Sequence, residues 1–229
     1  MKDFEIQPTC ILLPSNDASL FSGIKPKKPQ KFPFWSLVNG SLAGSGITLI
    51  TTPYNLLVGD SVLNLEETSC EQIFLFGSCG GLPGMNVGDR VLVKEAVNLE
   101  SFTLMNKQNF HDLEFVPAPG NLSSNLFQFR KEAGLKEVIG ATVSSLALEK
   151  KWIPILKNSG VSVMDMEASA VFSAASAIGR MAAAVLYVSD IVGSHTPGTF
   201  LSVSEHDKLK NSRKILAQFL LDYISHGHS

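Results

Sequence analysis

The chain has 229 residues, 45% of them hydrophobic and 17% charged, with a formal net charge of −2. That is enough apolar mass for one sizeable core and too little charge for disorder, and it offers no basic footprint for nucleic acid or an acidic membrane surface. Cys10, Cys70 and Cys79 form neither a CxxC pair nor another metal spacing, and an odd count in a chain this size suits free thiols in a reducing cytoplasm.

Taken in order, the N-terminal MKDFEIQPTC carries no apolar leader core. A strand is predicted over Cys10–Leu13, then PSNDASLF at 14–21. The lysines and prolines of IKPKKPQKFP, 24–33, read as an exposed loop. Strands follow over Trp35–Val38 and Ile47–Thr51, and a helix over Pro53–Leu65, where Pro53 suits a first helical turn. Further strands are predicted over Ile73–Phe76, Val91–Val97, Val138–Val143, Val161–Met164 and Met181–Val188. Helices are predicted over Ser123–Ala133, Glu149–Asn158, Glu167–Ile178 and Glu205–Ile224. The run MAAAVLYV, 181–188, is too short to span a bilayer and reads as a central strand.

Several of these strands are continuous apolar runs, as expected of strands covered on both faces. Strands and helices broadly alternate, and no repeat or domain boundary is visible. The predicted fold is therefore α/β: one domain with a central mixed, largely parallel sheet flanked by helices. In such sheets ligands bind beyond the carboxyl ends of the strands.

Three stretches fall at such positions. In FLFGSCGGLPGMNVGD, 74–89, a strand runs into Gly77-Ser78-Cys79-Gly80-Gly81. Glycines there let backbone N–H groups approach a ligand, or simply make a turn. The stretch is neither a Walker loop nor GxGxxG, and Cys79 reads as a small buried filler because no cationic neighbour activates it. In VMDMEASAVF, 163–172, Asp165 and Glu167 open an apolar helix directly after an apolar strand. Acids there complement the helix dipole. At a buried junction an ionised carboxylate also needs a partner, and a bound vicinal diol would serve Glu167, with Met166 as an apolar floor under a ring. In YVSDI, 187–191, Asp190 ends an apolar strand ahead of GSHTPG, 193–198. It reads either as a cap or as a hydrogen-bonding group for a leaving group, with Gly193–Phe200 as a lid and His195 as a solvated loop residue.

The order GSCGG, VGD, VMDMEAS and a strand-ending VSD resembles the nucleoside phosphorylase and nucleosidase superfamily, from about Ile11 to Tyr223. That superfamily includes purine nucleoside and uridine phosphorylases and the 5′-methylthioadenosine/S-adenosylhomocysteine nucleosidases. The resemblance implies that Met166 and Glu167 hold ribose, with Glu167 on the 2′- and 3′-hydroxyls and Asp165 beside them. It implies that Asp190 protonates N7 of a purine, and that Ser78 with the backbone at Cys79 and Gly80 lines the nucleophile and base side. Such a site stabilises charge of both signs as an N-ribosidic bond breaks.

The departures are as informative. Phosphorylases of the family carry arginine where Leu75 stands, and again near the first strand, where this chain has PSNDASLF. Its arginines are Arg90, Arg130, Arg180 and Arg213, none at those positions. Phosphate without arginine forks loses its strongest charge-assisted contacts. Nucleosidases use water activated by a glutamate after the first strand; Asp17 falls in that register, though its side chain is one methylene shorter and equally suits a capping role. Leu148, beside Glu149, replaces an aromatic residue that stacks on the base. The resemblance thus implies a cytoplasmic homo-oligomer that cleaves a purine or 5′-modified purine nucleoside, with water as nucleophile and no cofactor or metal. A phosphate-dependent phosphorylase and a nucleoside-binding protein with a decayed site are the alternatives.

Overall fold

The computed structural model describes residues 5–14, 18–27, 29–32, 35–52, 57–107, 113–129, 134–194 and 201–226. In chain order its elements are β1 (Thr9–Leu13), β2 (Lys25–Pro26), β3 (Gln30–Lys31), β4 (Ser36–Leu42), β5 (Ser45–Thr51), α1 (Val58–Leu63), β6 (Gln72–Gly81), β7 (Arg90–Leu99), α2 (Phe102–Lys107), β8 (Phe115–Pro117), α3 (Leu122–Phe129), β9 (Leu135–Val143), α4 (Glu149–Asn158), β10 (Val161–Asp165), α5 (Ala168–Ala177), β11 (Met181–Ile191) and α6 (Val203–Ser225).

The strands form one mixed sheet in the order β10-β9-β7-β11-β6-β1-β5-β4-β2, and β10 also pairs with β6. That extra pairing closes β6, β11, β7, β9 and β10 into a ring, while β1, β5, β4 and β2 continue outward as an open sheet. The pairings β1–β5, β1–β6, β11–β6, β7–β9 and β10–β9 are parallel. Those of β10 with β6 and β11 with β7 are antiparallel.

The period of two in the central strands sorts their side chains into two cores. Cys10 and Leu12 of β1, Ile73 and Leu75 of β6, and Ala182, Ala184 and Leu186 of β11 face Val171 and Phe172 of α5. Ile11 and Leu13, Phe74 and Phe76, and Ala183, Val185 and Tyr187 face Leu216, Phe219, Leu220 and Tyr223 of α6. Continuous apolar runs are what a sheet covered on both faces requires. A third cluster packs Trp152 and Leu156 of α4 against Val97, Ala141 and Met164. The Trp152 indole N–H donates to the Met105 carbonyl at 3.1 Å. Helix α6 opens with a capping box in which Glu205 N–H donates to Ser202 Oγ and Ser202 N–H donates to Glu205 Oε2.

Several sequence expectations need correction. The glycine-rich stretch 77–81 is not a loop: β6 runs on through Gly81, with β11 on one side and β10 on the other. Its glycines do not have positive φ, so they form no anion-binding nest. Within 24–33, Lys25–Pro26 and Gln30–Lys31 pair with β4 as short exposed edge strands. Helix α1 begins at Val58, and residues 53–56, with Pro53, lie outside the described residues, as do 130–133 after α3. Helix α2 and strand β8 were not predicted. No helix among the described residues is long and apolar enough to cross a membrane.

Gly80 and Gly81 have no room for a side chain, because β11 with the residue that follows it and the turn after β6 close over them. A Cβ on Gly80 would lie 2.7 Å from Val192 Cγ2, and one on Gly81 would lie 2.8 Å from Met85 Cβ and 2.9 Å from Val188 Cγ1. Gly77, earlier in the same strand, has no such neighbour nearer than Leu186 Cδ2 at 3.8 Å. Gly81→Ala should therefore destabilise the fold by about 1–3 kcal/mol in urea titration. Gly77→Ala should stay within about 0.5 kcal/mol of the wild type. Equal effects would remove close strand approach as the reason for Gly81.

Candidate active site

The ends of β6, β10 and β11 converge on a cavity of about 200 Å³. It is lined by Ser78, Cys79 and Gly80 from β6, Met164 to Glu167 from the end of β10, Ser189 and Asp190 from β11, and Leu146 and Glu149 at the start of α4. All these strands present their carboxyl ends, the position where an α/β sheet offers room for a ligand. Met164 pairs with Gly80, and Asp190 pairs with the same glycine from the other side. One residue without a side chain thus brings the two acidic stretches together.

The two acids at the start of α5 have different surroundings. Asp165 is buried, 5% exposed, and its carboxylate is held at both oxygens. Thr142 Oγ1 donates to Oδ1 at 2.7 Å and Ala168 N–H donates to Oδ2 at 2.9 Å. Thr142 Oγ1 in turn accepts from Ser169 N–H at 2.8 Å, and Ser169 Oγ donates to Glu100 Oε2 at 2.8 Å. Asp165 therefore satisfies the exposed N–H groups of the first turn of α5, the role of a helix cap. Burial pushes its carboxyl up to about 7 against the lowering effect of those donors.

Glu167 accepts only a long bond from Met166 N–H, 3.3 Å, which leaves its other oxygen for the cavity. Burial first and the neighbouring Asp165 second push it up to about 8. The sequence left the pair open between a dipole role and a ligand role. The structure divides them: Asp165 holds the helix start and Glu167 faces the cavity.

Asp190 sits at a bulge. The register of β11 against β6 slips between Val188 and Asp190, so Ser189 is an extra residue and the following side chain is re-aimed. Ser189 Oγ lies 2.7 Å from Asp190 Oδ1 and 3.2 Å from the Cys79 carbonyl. A hydroxyl has one proton to give, so Ser189 donates to one of these two oxygens at a time, and Asp190 Oδ2 is left without a protein donor among the described residues.

Glu149 is the residue that sequence reasoning passed over. It is 6% exposed, stands in the first turn of α4 and lines the cavity, yet no described residue hydrogen-bonds its carboxylate. Burial pushes it up to about 7, with Asp190 as its charged neighbour. Leu148, expected to line the base pocket, is packed in the core with Trp152, and Leu146 lines the cavity in its place. Ser78, Cys79, Gly80, Met166 and Asp190 all lie where the sequence put them together. Asp17, His195 and the rest of the predicted lid at 195–200 lie outside the described residues. Cys79 is 3% exposed, and burial, with Asp165 and Asp190 nearby, raises its thiol well above the usual range, so it is no nucleophile here.

Charge sets the character of the cavity. Of the described residues that line it, four are carboxylic acids and none is Lys or Arg. Leu75 is fully buried in the core between β1 and β11. Arg180 donates to the Glu66 and Thr68 carbonyls at the far end of β11, and Arg213 lies over the Tyr187 ring. No group of three or more His, Cys, Asp or Glu among the described residues could hold a metal ion.

Comparison with known proteins agrees with this architecture. The family model described as the phosphorylase superfamily matches residues 21–225. The chain is 25% identical over 173 residues to the DeoD-type purine nucleoside phosphorylase of Bacillus subtilis (strain 168), covering 73% of this chain and 70% of that one. The crystal structure of uridine phosphorylase from Vibrio fischeri ES114 superposes with a TM-score of 0.80 at 16% identity, over 97% of this chain and 93% of that one. That of 5′-methylthioadenosine/S-adenosylhomocysteine nucleosidase from Campylobacter jejuni gives 0.78 at 15%, over 96% and 100%. At such identities the structural likeness is one of fold.

The raised carboxyl of Glu167 makes a prediction about stability. Between its ordinary value of 4.5 and about 8 the folded protein binds more protons at this site than the unfolded chain does. Stability contributed by the group is full below the lower value and is lost as pH rises through the upper one. Glu167→Gln lacks that loss. Its melting temperature should therefore gain on the wild type as pH rises from about 5 to 8, read by scanning fluorimetry. A constant difference across that range would show that Glu167 is not held in a desolvated site.

Proposed function

Because the chain belongs to the phosphorylase superfamily, we propose that its cavity cleaves the N-ribosidic bond of a purine or 5′-modified purine nucleoside with water as the nucleophile. The observation that carries the proposal is the charge of the cavity: carboxylates at both ends and no cation among the described lining residues. Phosphate placed there would find no cationic fork among the described lining residues to compensate its charge. Neutral water meets no such penalty.

In this reading the sugar lies against Met166, with its 2′- and 3′-hydroxyls donating to the free oxygen of Glu167. The bond from the anomeric carbon to the base nitrogen breaks with its electron pair going to the base. Asp190 delivers a proton to N7, so that the base leaves neutral. The Ser189 hydroxyl, donating to Asp190 Oδ1, orients the carboxyl so that its other oxygen carries that proton. Positive charge on the sugar develops beside Glu167, where desolvation strengthens its electrostatic stabilisation. The water oxygen then bonds to the anomeric carbon and gives up a proton to a base, the role proposed for Asp17. Free ribose, or its 5′-modified form, and free purine are the products. Ser78 and the main chain at Cys79 and Gly80 complete the wall on the nucleophile and base side.

Base release should proceed in phosphate-free buffer and yield the free sugar, as read by chromatography of the products. Strict dependence on phosphate, with a sugar 1-phosphate formed, would replace hydrolysis by phosphorolysis. Loss of both activities across a nucleoside panel would leave only binding.

Asp190→Asn removes the proton donor while keeping its shape. It should lower kcat/KM for nucleoside cleavage by about two to four orders of magnitude with little change in melting temperature. Activity within a few-fold of the wild type would take Asp190 out of the mechanism.

A further inference from the structure

The carboxylates of the cavity fall into two groups by their neighbours. Glu167 lies beside Asp165, with Glu100 also acting on it, at the end where β10 turns into α5. Glu149 has Asp190 as its charged neighbour, at the end where β11 bulges. One end is thus the sugar end and the other the base end, if the proposed function holds. At the base end stand two carboxyl groups, and the resemblance to known nucleoside-cleaving proteins gives work to only one of them. Asp190 already has Ser189 as a partner, whereas Glu149 is 6% exposed and has none among the described residues. A buried carboxylate with no donor is costly to keep unless something outside the protein supplies the donor.

Glu149 is the first residue of α4, at a helix start that has no side-chain cap. With no donor on it among the described residues, both its oxygens are free to accept. Leu146 and Met164 line the same cavity and offer apolar surface but no hydrogen bond of their own. What the base end lacks, then, is an N–H donor placed next to the atom that Asp190 protonates.

We propose that Glu149 is a specificity-determining residue that accepts a hydrogen bond from the exocyclic amine of a 6-aminopurine, resting on the reading of Asp190 as the group at N7. On a purine, N7 and the substituent at C6 point to the same side at hydrogen-bonding separation. A protonated Asp190 donating to N7 and an ionised Glu149 accepting from the 6-amino group form a matched pair of contacts. A 6-oxopurine presents lone pairs to the same carboxylate, and like meets like. Such mismatches of buried polar groups discriminate strongly between otherwise isosteric ligands.

The test compares adenosine with inosine, and adenine with hypoxanthine, for the wild type and Glu149→Gln. The glutamine keeps the shape and can either accept from an amine or donate to a carbonyl. Wild-type protein should prefer the 6-amino member by about tenfold or more, in kcat/KM and in the binding of the free bases by calorimetry. Glu149→Gln should reduce that ratio by about tenfold, mainly through a gain for the 6-oxo member. Its melting temperature should not fall, because no protein contact is lost. A ratio unchanged within twofold in the variant, or a wild-type preference for the 6-oxo bases, would overturn the proposal. So would a variant that melts well below the wild type, since Glu149 would then be a structural support. If no nucleoside is cleaved, the hydrolytic reading fails while the free-base binding ratio still decides the role of Glu149.

Discussion

The approach of β10 and β11 to the last two residues of β6 is the constraint on which the rest depends. Side chains at Gly80 and Gly81 would stand within 3 Å of Val192, Met85 and Val188. Strand β10 pairs with β6 antiparallel on one side and closes the ring, while β11 runs parallel to β6 on the other side. The closure sets the DMEAS stretch against the end of β11. Met164 and Asp190 are far apart in the chain, yet both pair with Gly80. The acids of the cavity are neighbours because of that pairing, not because of any contact between themselves.

The second consequence is electrostatic. Burial drives three of the four lining carboxyls toward neutrality, and the protein answers each in a different way. Asp165 receives donors at both oxygens from Thr142 and Ala168, and so becomes part of the helix start. Glu167 receives one long bond from its neighbour's main chain. Glu149 receives none among the described residues. This graded satisfaction separates structure from function within a single acidic cluster. A fully bonded group serves the fold, and a group left short of donors is available to a ligand that brings them.

Much of this was legible in the sequence, and the limits have physical causes. Apolar runs located the central strands because both faces of the sheet are covered, and Glu149–Asn158 was read to its ends because its amphipathic period is regular. Asp165, Glu167 and Asp190 were visible because acids directly after apolar strands conflict with burial. The reach of β6 to Gly81 was not visible, since glycines normally end a strand and here are required by close packing. The Ser189 bulge leaves no mark in composition, and neither does the Thr142 hydroxyl that ties Asp165 to Ser169. Glu149 was hidden by being ordinary: an acid in a first helical turn is where the dipole puts one. Only its burial and lack of a partner set it apart.

Leu75 shows how a site and a core share one strand. In a strand covered on both faces, its position alternates into the helix-packed layer, between Leu12 of β1 and Ala184 of β11. Three residues later, Ser78 opens to the cavity. A cationic side chain at position 75 would need either a partner in that apolar layer or a path along the strand to the cavity, and its neighbours are hydrocarbon. Filling the position with leucine strengthens the sheet that holds Gly80 in place. It also leaves the described lining of the cavity without a cation from β6. The packing that brings the acidic residues to the cavity thus also fills position 75 with hydrocarbon.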